Sequence, residues 1–218
     1  MDLIGKCPPD ADSLEAAAAR GFDRVELYLT PADLDDIEAT AVTVARSAVD
    51  AASVHTPHAV PEDGETFRRA DDLACRLDAY LVVHSQYALH THTQLLDSYG
   101  FEAPYGYENN PGASVFHLER QLFDRDYELV LDTAHLYAAE AAYLESLEHL
   151  LTTYGDRISV AHLTDGTRTT DGLTIGRGDI DLETTVDLLE RQYDGLVVLE
   201  VMPDDQRAGR QTILDWLE

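Results

Sequence analysis

The chain has 218 residues, 44% of them hydrophobic, and a formal net charge of -27 from 42 acidic and 15 basic side chains. This length can bury a sizeable core. So strong an acidic excess repels phosphate backbones, so we expect no nucleic-acid partner unless bound metal ions mediate the contact. No apolar run approaches the roughly 20 residues of a membrane span, and MDLIGKCPPD at the start is unlike a signal peptide. We therefore expect a cytoplasmic protein without a membrane partner.

The acidic residues are spread along the whole chain, and Lys6 is its only lysine. An acidic surface that uses arginine instead of lysine is typical of halophilic proteins, because salt at 1 M screens self-repulsion beyond roughly 3 Å. An acidic protein from ordinary conditions is the alternative. The two cysteines, Cys7 and Cys75, form no CxxC pair, so we expect free thiols in a reducing compartment.

Short apolar runs alternate with longer amphipathic segments, as in parallel strands joined by crossover helices. The predicted strands are residues 2–6, 24–29, 52–55, 80–84, 105–108, 128–132, 158–162 and 196–201. The predicted helices are residues 11–20, 31–48, 63–78, 91–99, 113–124, 140–154, 181–193 and 204–217, with caps such as Asp12 and Asp181. Eight such units without a linker predict a (β/α)8 TIM barrel as one α/β domain over residues 1–218, not an open doubly wound sheet.

Six residues of metal-binding type each stand at the C-terminal end of a different apolar run: His55, His84, Glu108, Asp132, His162 and Glu200. The C-terminal ends of barrel strands converge on one mouth, where side chains far apart in sequence can surround a single ion. Three carboxylates and one imidazole, from Glu108, Asp132, His162 and Glu200, suit Mn²⁺, Mg²⁺ or Co²⁺, with Zn²⁺ as an alternative. Any one of them alone would be more typical of a helix cap or a solvated charge.

The motifs at these strand ends resemble those of the xylose isomerase-like barrel superfamily. That superfamily holds sugar and sugar-acid isomerases and epimerases, inosose-processing enzymes and DNA-repair nucleases of the endonuclease IV type. The resemblance covers most of the chain: VELYL at 25–29, SVHTPH at 53–58, LVVHS at 81–85, YENNPG at 107–112, LDTAH at 131–135, HLTDGT at 162–167, IGRGDID at 175–181 and LEVMP at 199–203. It implies one divalent metal ion held by Glu108, Asp132, His162 and Glu200.

The resemblance also implies a reaction at this site. Glu108 and Glu200 would face each other across the substrate and would take and return a proton next to a carbonyl, while the metal stabilises the enolate oxygen. His135 resembles the histidine of the family's D-x-x-H element and would hydrogen-bond a substrate hydroxyl or the enediolate oxygen. A structural histidine lining the mouth is its alternative. We therefore expect a metal-dependent isomerase or epimerase of sugars or sugar acids.

Four further residues are expected to contact the substrate. His55 and His84 line the pocket in isomerases of the superfamily, whereas the corresponding histidines of the nucleases complete a multi-zinc cluster. Arg168 stands six residues after His162, where several epimerases have a substrate-contacting arginine, and a solvated loop arginine is the alternative. Glu26 on the second strand would orient a neighbouring side chain or form a buried salt bridge with an arginine.

Two other functions stay open. The nuclease and dehydratase relatives suggest a hydrolase or lyase with two metals. However, the Asp-x-His pair of the nucleases is here Asp171-Gly172-Leu173, so a third metal lacks a ligand. The second alternative is a non-catalytic barrel that binds a metal or a metabolite. The short segment between His84 and Glu108 leaves little material for a lid, so we expect a small carbohydrate or sugar-acid substrate, or a neighbouring subunit of a homo-oligomer that covers the mouth.

Overall fold

The computed structural model describes residues 1–84 and 92–218, which contain eight strands in chain order around a closed parallel barrel. The strands are β1 Asp2–Cys7, β2 Arg24–Tyr28, β3 Asp50–His55, β4 Tyr80–Val83, β5 Tyr105–Glu108, β6 Leu129–Asp132, β7 Ile158–Leu163 and β8 Leu196–Leu199. The α-helices of the described residues are α1 Ala11–Ala19, α2 Ile37–Ala45, α3 Gly64–Leu77, α4 Thr93–Asp97, α5 Val115–Gln121, α6 Thr133–Ala139, α7 Tyr143–Tyr154, α8 Leu182–Gln192 and α9 Pro203–Trp216. The predicted (β/α)8 TIM barrel is confirmed.

The long helix predicted over residues 31–48 is divided in the structure. A 3-10 turn covers Pro31–Leu34, and α2 begins only after Asp36. The Asp36 carboxylate accepts a hydrogen bond from the backbone N–H of Ala39 at 3.0 Å, which satisfies one of the free N–H groups of a helix start. A cap inside an amphipathic stretch therefore separates two elements that share one hydrophobic pattern.

Other helix boundaries also differ from the prediction. Helix α1 is capped by Asp10, whose side chain accepts from the Ser13 backbone N–H at 3.0 Å, and not by Asp12. Helix α6 directly follows β6 and was not predicted, because its seven residues are too few for a helical period to be read. The helix predicted over 91–99 corresponds to α4, and residue 91 lies outside the described residues.

One compact unit of the chain spans Ile4–Glu108 and is called here the first unit. Its strands β1 to β3 place Lys6, Glu26 and Ser53 side by side. The Lys6 ammonium lies 2.9 Å from one Glu26 carboxylate oxygen, and the Ser53 hydroxyl donates to the other at 2.9 Å. The buried ion pair considered for Glu26 is therefore present, with a lysine and not an arginine as its partner.

The second unit consists of Met1–Leu3 and Asn109–Glu218. Nine apolar residues of its strands are fully buried, as is usual for parallel strands covered on both faces: Leu129, Val130, Leu131, Val160, Ala161, Leu163, Val197, Val198 and Leu199. Helices α7 and α8 contact each other and bury Leu147, Leu150, Val186 and Leu189. A single domain over residues 1–218 stays a prediction.

Two chemical expectations concern the chain as a whole. Cys7 and Cys75 are both free thiols, as predicted, and burial raises the pKa of Cys7 to about 12. The Cys7 thiol is therefore protonated and unreactive at neutral pH. Among the helices of residues 1–84 and 92–218, none combines the length and the apolar character that a membrane crossing requires.

Candidate metal and substrate site

Three of the predicted metal ligands come together at the ends of β6, β7 and β8. The register pairs Asp132 with His162, and the Glu200 backbone N–H donates to the Leu163 carbonyl at 3.0 Å. Asp132, His162 and Glu200 each offer one ligand atom, and these atoms lie within 4.8 Å of one another. His162 Nδ1 is 3.1 Å from Glu200 Oε2. The parallel register therefore converts three separate strand ends into one group of ligand atoms.

The donor set of this group fits a divalent cation. Asp132 and His162 are buried, whereas the Glu200 side chain is 29% exposed. Two carboxylates held this close to each other, largely away from water, repel each other, and a bound cation relieves that repulsion. Two carboxylate oxygens and one imidazole nitrogen are ligands that Mn²⁺, Mg²⁺, Co²⁺ and Zn²⁺ accept.

Asp132 also starts helix α6. Its Oδ1 accepts a hydrogen bond from the His135 backbone N–H at 2.8 Å, which makes Asp132 the N-cap of the helix. The cap fixes the place of the third residue after Asp132, because a capping side chain reaches the backbone N–H three residues later. His135 consequently stands in the first turn of α6, where its Nδ1 lies 3.5 Å from Asp132 Oδ2.

Asn109 is a residue of this site that the sequence analysis missed. Its fully buried amide holds the main chain of Asp132 from both sides: Nδ2 donates to the Asp132 carbonyl at 3.0 Å, and Oδ1 accepts from the Asp132 N–H at 2.7 Å. The Asn109 carbonyl accepts from His135 Nδ1 at 2.6 Å. The only signal in the sequence is an amide directly after the strand-end Glu108, and Asn110 beside it has the same side chain.

The two loop residues Asp171 and Arg168 have defined places near α6. Asp171 Oδ2 lies 3.0 Å from His135 Nε2. The Arg168 guanidinium stacks on the Tyr137 ring at 3.9 Å and donates to the Tyr137 and Glu140 carbonyls at the end of α6. A cation in this position interacts favourably with the free carbonyls of a helix C-terminus. The substrate contact expected of Arg168 stays a prediction.

A second group of ligand atoms lies in the first unit. His55, His58 and His84 each offer a ring nitrogen, and these nitrogens lie within 4.8 Å of one another. Glu108 Oε2 is 3.0 Å from His55 Nε2 and 3.4 Å from His84 Nδ1. The pairing of Val82 with Gly106 and of Val83 with Tyr107 explains this approach, because one further step along β4 and β5 places His84 beside Glu108.

Contacts with the backbone or side chain of Thr56 orient His55 and His84. His55 Nδ1 lies 2.8 Å from the Thr56 carbonyl, which can only accept, so Nδ1 carries a proton. The other ring nitrogen, Nε2, faces the Glu108 carboxylate. The Thr56 hydroxyl donates to the His84 carbonyl and accepts from the His84 N–H, both at 2.9 Å. Thr56, like Asn109, was not predicted.

The comparisons with known proteins agree with this architecture. A solved D-tagatose 3-epimerase-like protein is 22% identical, with coverage of 100% of this chain and 97% of that one and a TM-score of 0.72. D-allulose 3-epimerase from Methylomonas sp. is 17% identical, with coverage of 99% and 98% and a TM-score of 0.72. AP endonuclease, family 2, from Brucella melitensis is 14% identical, with coverage of 98% of each chain and a TM-score of 0.72.

At these identities the similarity to solved structures shows the fold. No curated protein sequence matches the chain. The sequence pattern of a family described as xylose isomerase-like TIM barrel matches residues 95–218, which is more than half of the chain. The chain therefore belongs to the xylose isomerase-like TIM barrel family.

Proposed function

We propose that this protein is a metal-dependent isomerase or epimerase of a small sugar or sugar acid. The observation that carries the proposal is the group Asp132, His162 and Glu200, whose ligand atoms lie within 4.8 Å at three successive strand ends. His135 stands beside Asp132 and adds a polar group that can bind a hydroxyl. The similarity to proteins named as epimerases of D-tagatose type and D-allulose supports sugar as the substrate class.

Glu108 is the proposed fourth ligand. It directly precedes Asn109, whose amide holds the main chain of Asp132, so the backbone leads from one proposed ligand to the other. A carboxylate has two oxygens and can therefore serve the histidines of the first unit and an ion together. One divalent ion is proposed, with Mn²⁺, Mg²⁺ or Co²⁺ preferred and Zn²⁺ as the alternative. When bound, it would stabilise negative charge on a substrate oxygen.

Glu108 and Glu200 are the proposed proton-transfer pair. A hydrogen next to a carbonyl is removed by one carboxylate, and the carboxylic acid on the opposite face of the substrate returns a proton. Glu200 suits this role because its side chain is 29% exposed and therefore reachable by a ligand. His135 is proposed to hydrogen-bond a substrate oxygen, and His55, His84, Glu26 and Arg168 remain candidate substrate contacts.

The test replaces each glutamate by glutamine, as Glu108→Gln and Glu200→Gln. Glutamine keeps an oxygen ligand but cannot take a proton, so bound metal should remain while exchange of a substrate carbon-bound hydrogen with D₂O falls by roughly 10²- to 10⁴-fold. D-allulose, D-tagatose, L-ribulose and their sugar acids are the probes, followed by NMR. Glu183→Gln, an exposed change at the start of α8, is the matched control.

Two outcomes contradict the proposal. Full exchange in both glutamine variants would show that other groups move the proton, with His135 the next candidate. An absence of exchange with every probe in the metal-loaded wild-type protein would favour a barrel that binds a metal or metabolite without turnover.

A hydrolase or lyase with two metals is the second candidate function. The observation that favours it is the cluster of His55, His58 and His84 with the Glu108 carboxylate beside it, which is a donor set that Zn²⁺ accepts. Elemental analysis separates the two candidates. One equivalent of metal per chain supports the isomerase, whereas two equivalents of zinc, lost together with hydrolysis or dehydration activity in His55→Ala, support the alternative.

A further inference from the structure

The contact between Asp171 and His135 has no place in the proton transfer proposed above. Asp171 Oδ2 lies 3.0 Å from Nε2 of His135, whose other ring nitrogen donates to the Asn109 carbonyl. His135 is 8% exposed, whereas the Asp171 side chain is 51% exposed. A carboxylate reached from solvent thus touches a buried imidazole that stands beside the proposed ligand Asp132.

The loop that carries Asp171 is held in place by other groups. The buried Asp165 carboxylate accepts hydrogen bonds from the backbone N–H groups of Gly166 at 2.8 Å, Gly176 at 2.9 Å and Gly178 at 2.8 Å. Asp165 and Leu173 also exchange two backbone hydrogen bonds, at 2.9 and 3.2 Å. The base of the loop that carries Asp171 is therefore held by contacts other than the one between Asp171 and His135.

Asp171 retains capacity to accept further hydrogen bonds. Within residues 1–84 and 92–218, only Oδ2 of its carboxylate has a polar partner, and that partner is His135. A carboxylate offers about four acceptor sites, so Oδ1 and the remaining lone pair of Oδ2 can accept from a ligand. Leu173 contributes only its backbone to the loop contacts. A ligand at this place therefore finds hydrogen-bond acceptors on Asp171, but Leu173 adds no metal-binding side chain.

We propose that Asp171 is a specificity-determining residue that accepts a hydrogen bond from one hydroxyl of the sugar. This inference rests on the proposed function and deepens it, because it assigns the recognition of a hydroxyl away from the reacting carbon. A hydroxyl is the group that fits, since it can donate to Oδ1 or to the remaining lone pair of Oδ2 of Asp171. An anionic substituent at this place would be repelled by Asp171.

The test compares the metal-loaded wild-type protein with Asp171→Ala and Asp171→Asn. Thr169→Ala, an exposed change in the same loop, is the matched control. D-allulose, D-tagatose and L-ribulose are the probes, together with singly deoxygenated analogues of whichever of them is turned over. KM and kcat are measured for each sugar, calorimetry gives the dissociation constants, and thermal melting reports the stability of each variant.

The expected result is a change in binding that depends on one hydroxyl. Asp171→Ala should raise KM roughly 10- to 100-fold with little change in kcat, as for a lost hydrogen bond to a charged group that is present before and during the reaction. Asp171→Asn keeps an acceptor oxygen and should lose less. The analogue without the recognised hydroxyl should bind wild type and Asp171→Ala equally.

Three results overturn the inference in distinguishable ways. If Asp171→Ala weakens all sugars and analogues by the same factor, Asp171 recognises no particular hydroxyl. If Asp171→Ala behaves like Thr169→Ala, Asp171 takes no part in binding. In both cases the proposed function survives. If the wild-type protein neither binds nor turns over any of the three sugars, the proposed function fails and the inference fails with it.

Discussion

At the scale of single residues, the site depends on side chains that serve two neighbours. Asp132 caps α6 through Oδ1 and offers its second oxygen to the group formed with His162 and Glu200. Asn109 holds the main chain of Asp132 and accepts from His135. A substitution at Asp132 therefore affects a proposed metal ligand and the position of His135 together. Two different substitutions are needed to separate these effects.

Asp132→Ala and Asp132→Asn are such a pair. Asp132→Ala removes the ligand oxygen, so we expect it to lose the bound ion, which is measured as about one equivalent in the wild-type protein by elemental analysis; Asp132→Asn keeps an amide oxygen and should retain the ion, although more weakly than the wild-type protein. Asparagine still caps a helix, so in the presence of a chelator only Asp132→Ala should be destabilised, by about 1 kcal/mol in urea unfolding. Asp124→Ala, an exposed change, should match wild type in both measurements. Metal retained by Asp132→Ala would show that Asp132 is not a ligand.

At the scale of elements, the loop between β7 and α8 has its own internal framework. Three backbone N–H groups converge on the buried Asp165 carboxylate. At Gly178 an added Cβ would overlap the Asp165 carboxylate and the backbone of Gly166, so the close approach requires glycine. The motif IGRGDID therefore has a structural reason, which is to bring two amides of the loop onto one side chain.

Asp165→Ala should release this loop. Three N–H groups lose a charged acceptor, and we expect a loss of about 2–4 kcal/mol in the free energy of unfolding. Hydrogen exchange of the Gly176 and Gly178 amides should become faster, while the amides of β7 keep their protection. Asp179→Ala is the control, since this exposed neighbour contributes only its backbone N–H. Unchanged exchange at both glycines would refute the role given to Asp165.

At the scale of the whole molecule, the dominant property is charge. With 42 acidic and 15 basic side chains, self-repulsion opposes the compact state in dilute buffer. Several described arginines form exposed ion pairs, as Arg76 does with Asp72 and Glu38, and such pairs contribute little stability. Most of the acidic excess is therefore balanced by solvent cations.

We predict that the melting temperature rises between low salt and molar KCl. Screening at roughly 3 Å leaves only contact pairs interacting, so the repulsion that favours unfolding is removed. The series should be measured with a chelator present, so that metal binding does not contribute, and repeated in sucrose as an uncharged control. A melting temperature that is flat or falls with KCl would contradict halophilic adaptation.

The sequence by itself determined the barrel and the strand ends that carry the site. Both are local signals, because a strand appears in the sequence as a short apolar run and the type of residue at its end is visible in the same stretch. Because parallel strands point the same way, a strand-end residue such as Asp132 needs no further information to be placed near His162. The same reasoning anticipated His55 and His84 beside one another, while their roles remain to be tested.

Only the tertiary structure decided which polar groups meet. Asn109 and Asp132 are 23 residues apart, and His135 and Asp171 are 36 apart. The sequence shows an amide or a carboxylate at such positions but not its partner. A hydrogen bond forms only when the donor–acceptor distance is right to within a few tenths of an ångström, and the sequence does not give that distance. The place of Arg168 at the end of α6 could not be predicted either, since α6 itself is too short to show a helical period in the sequence. Side-chain type is local information, whereas contact is a property of the folded chain.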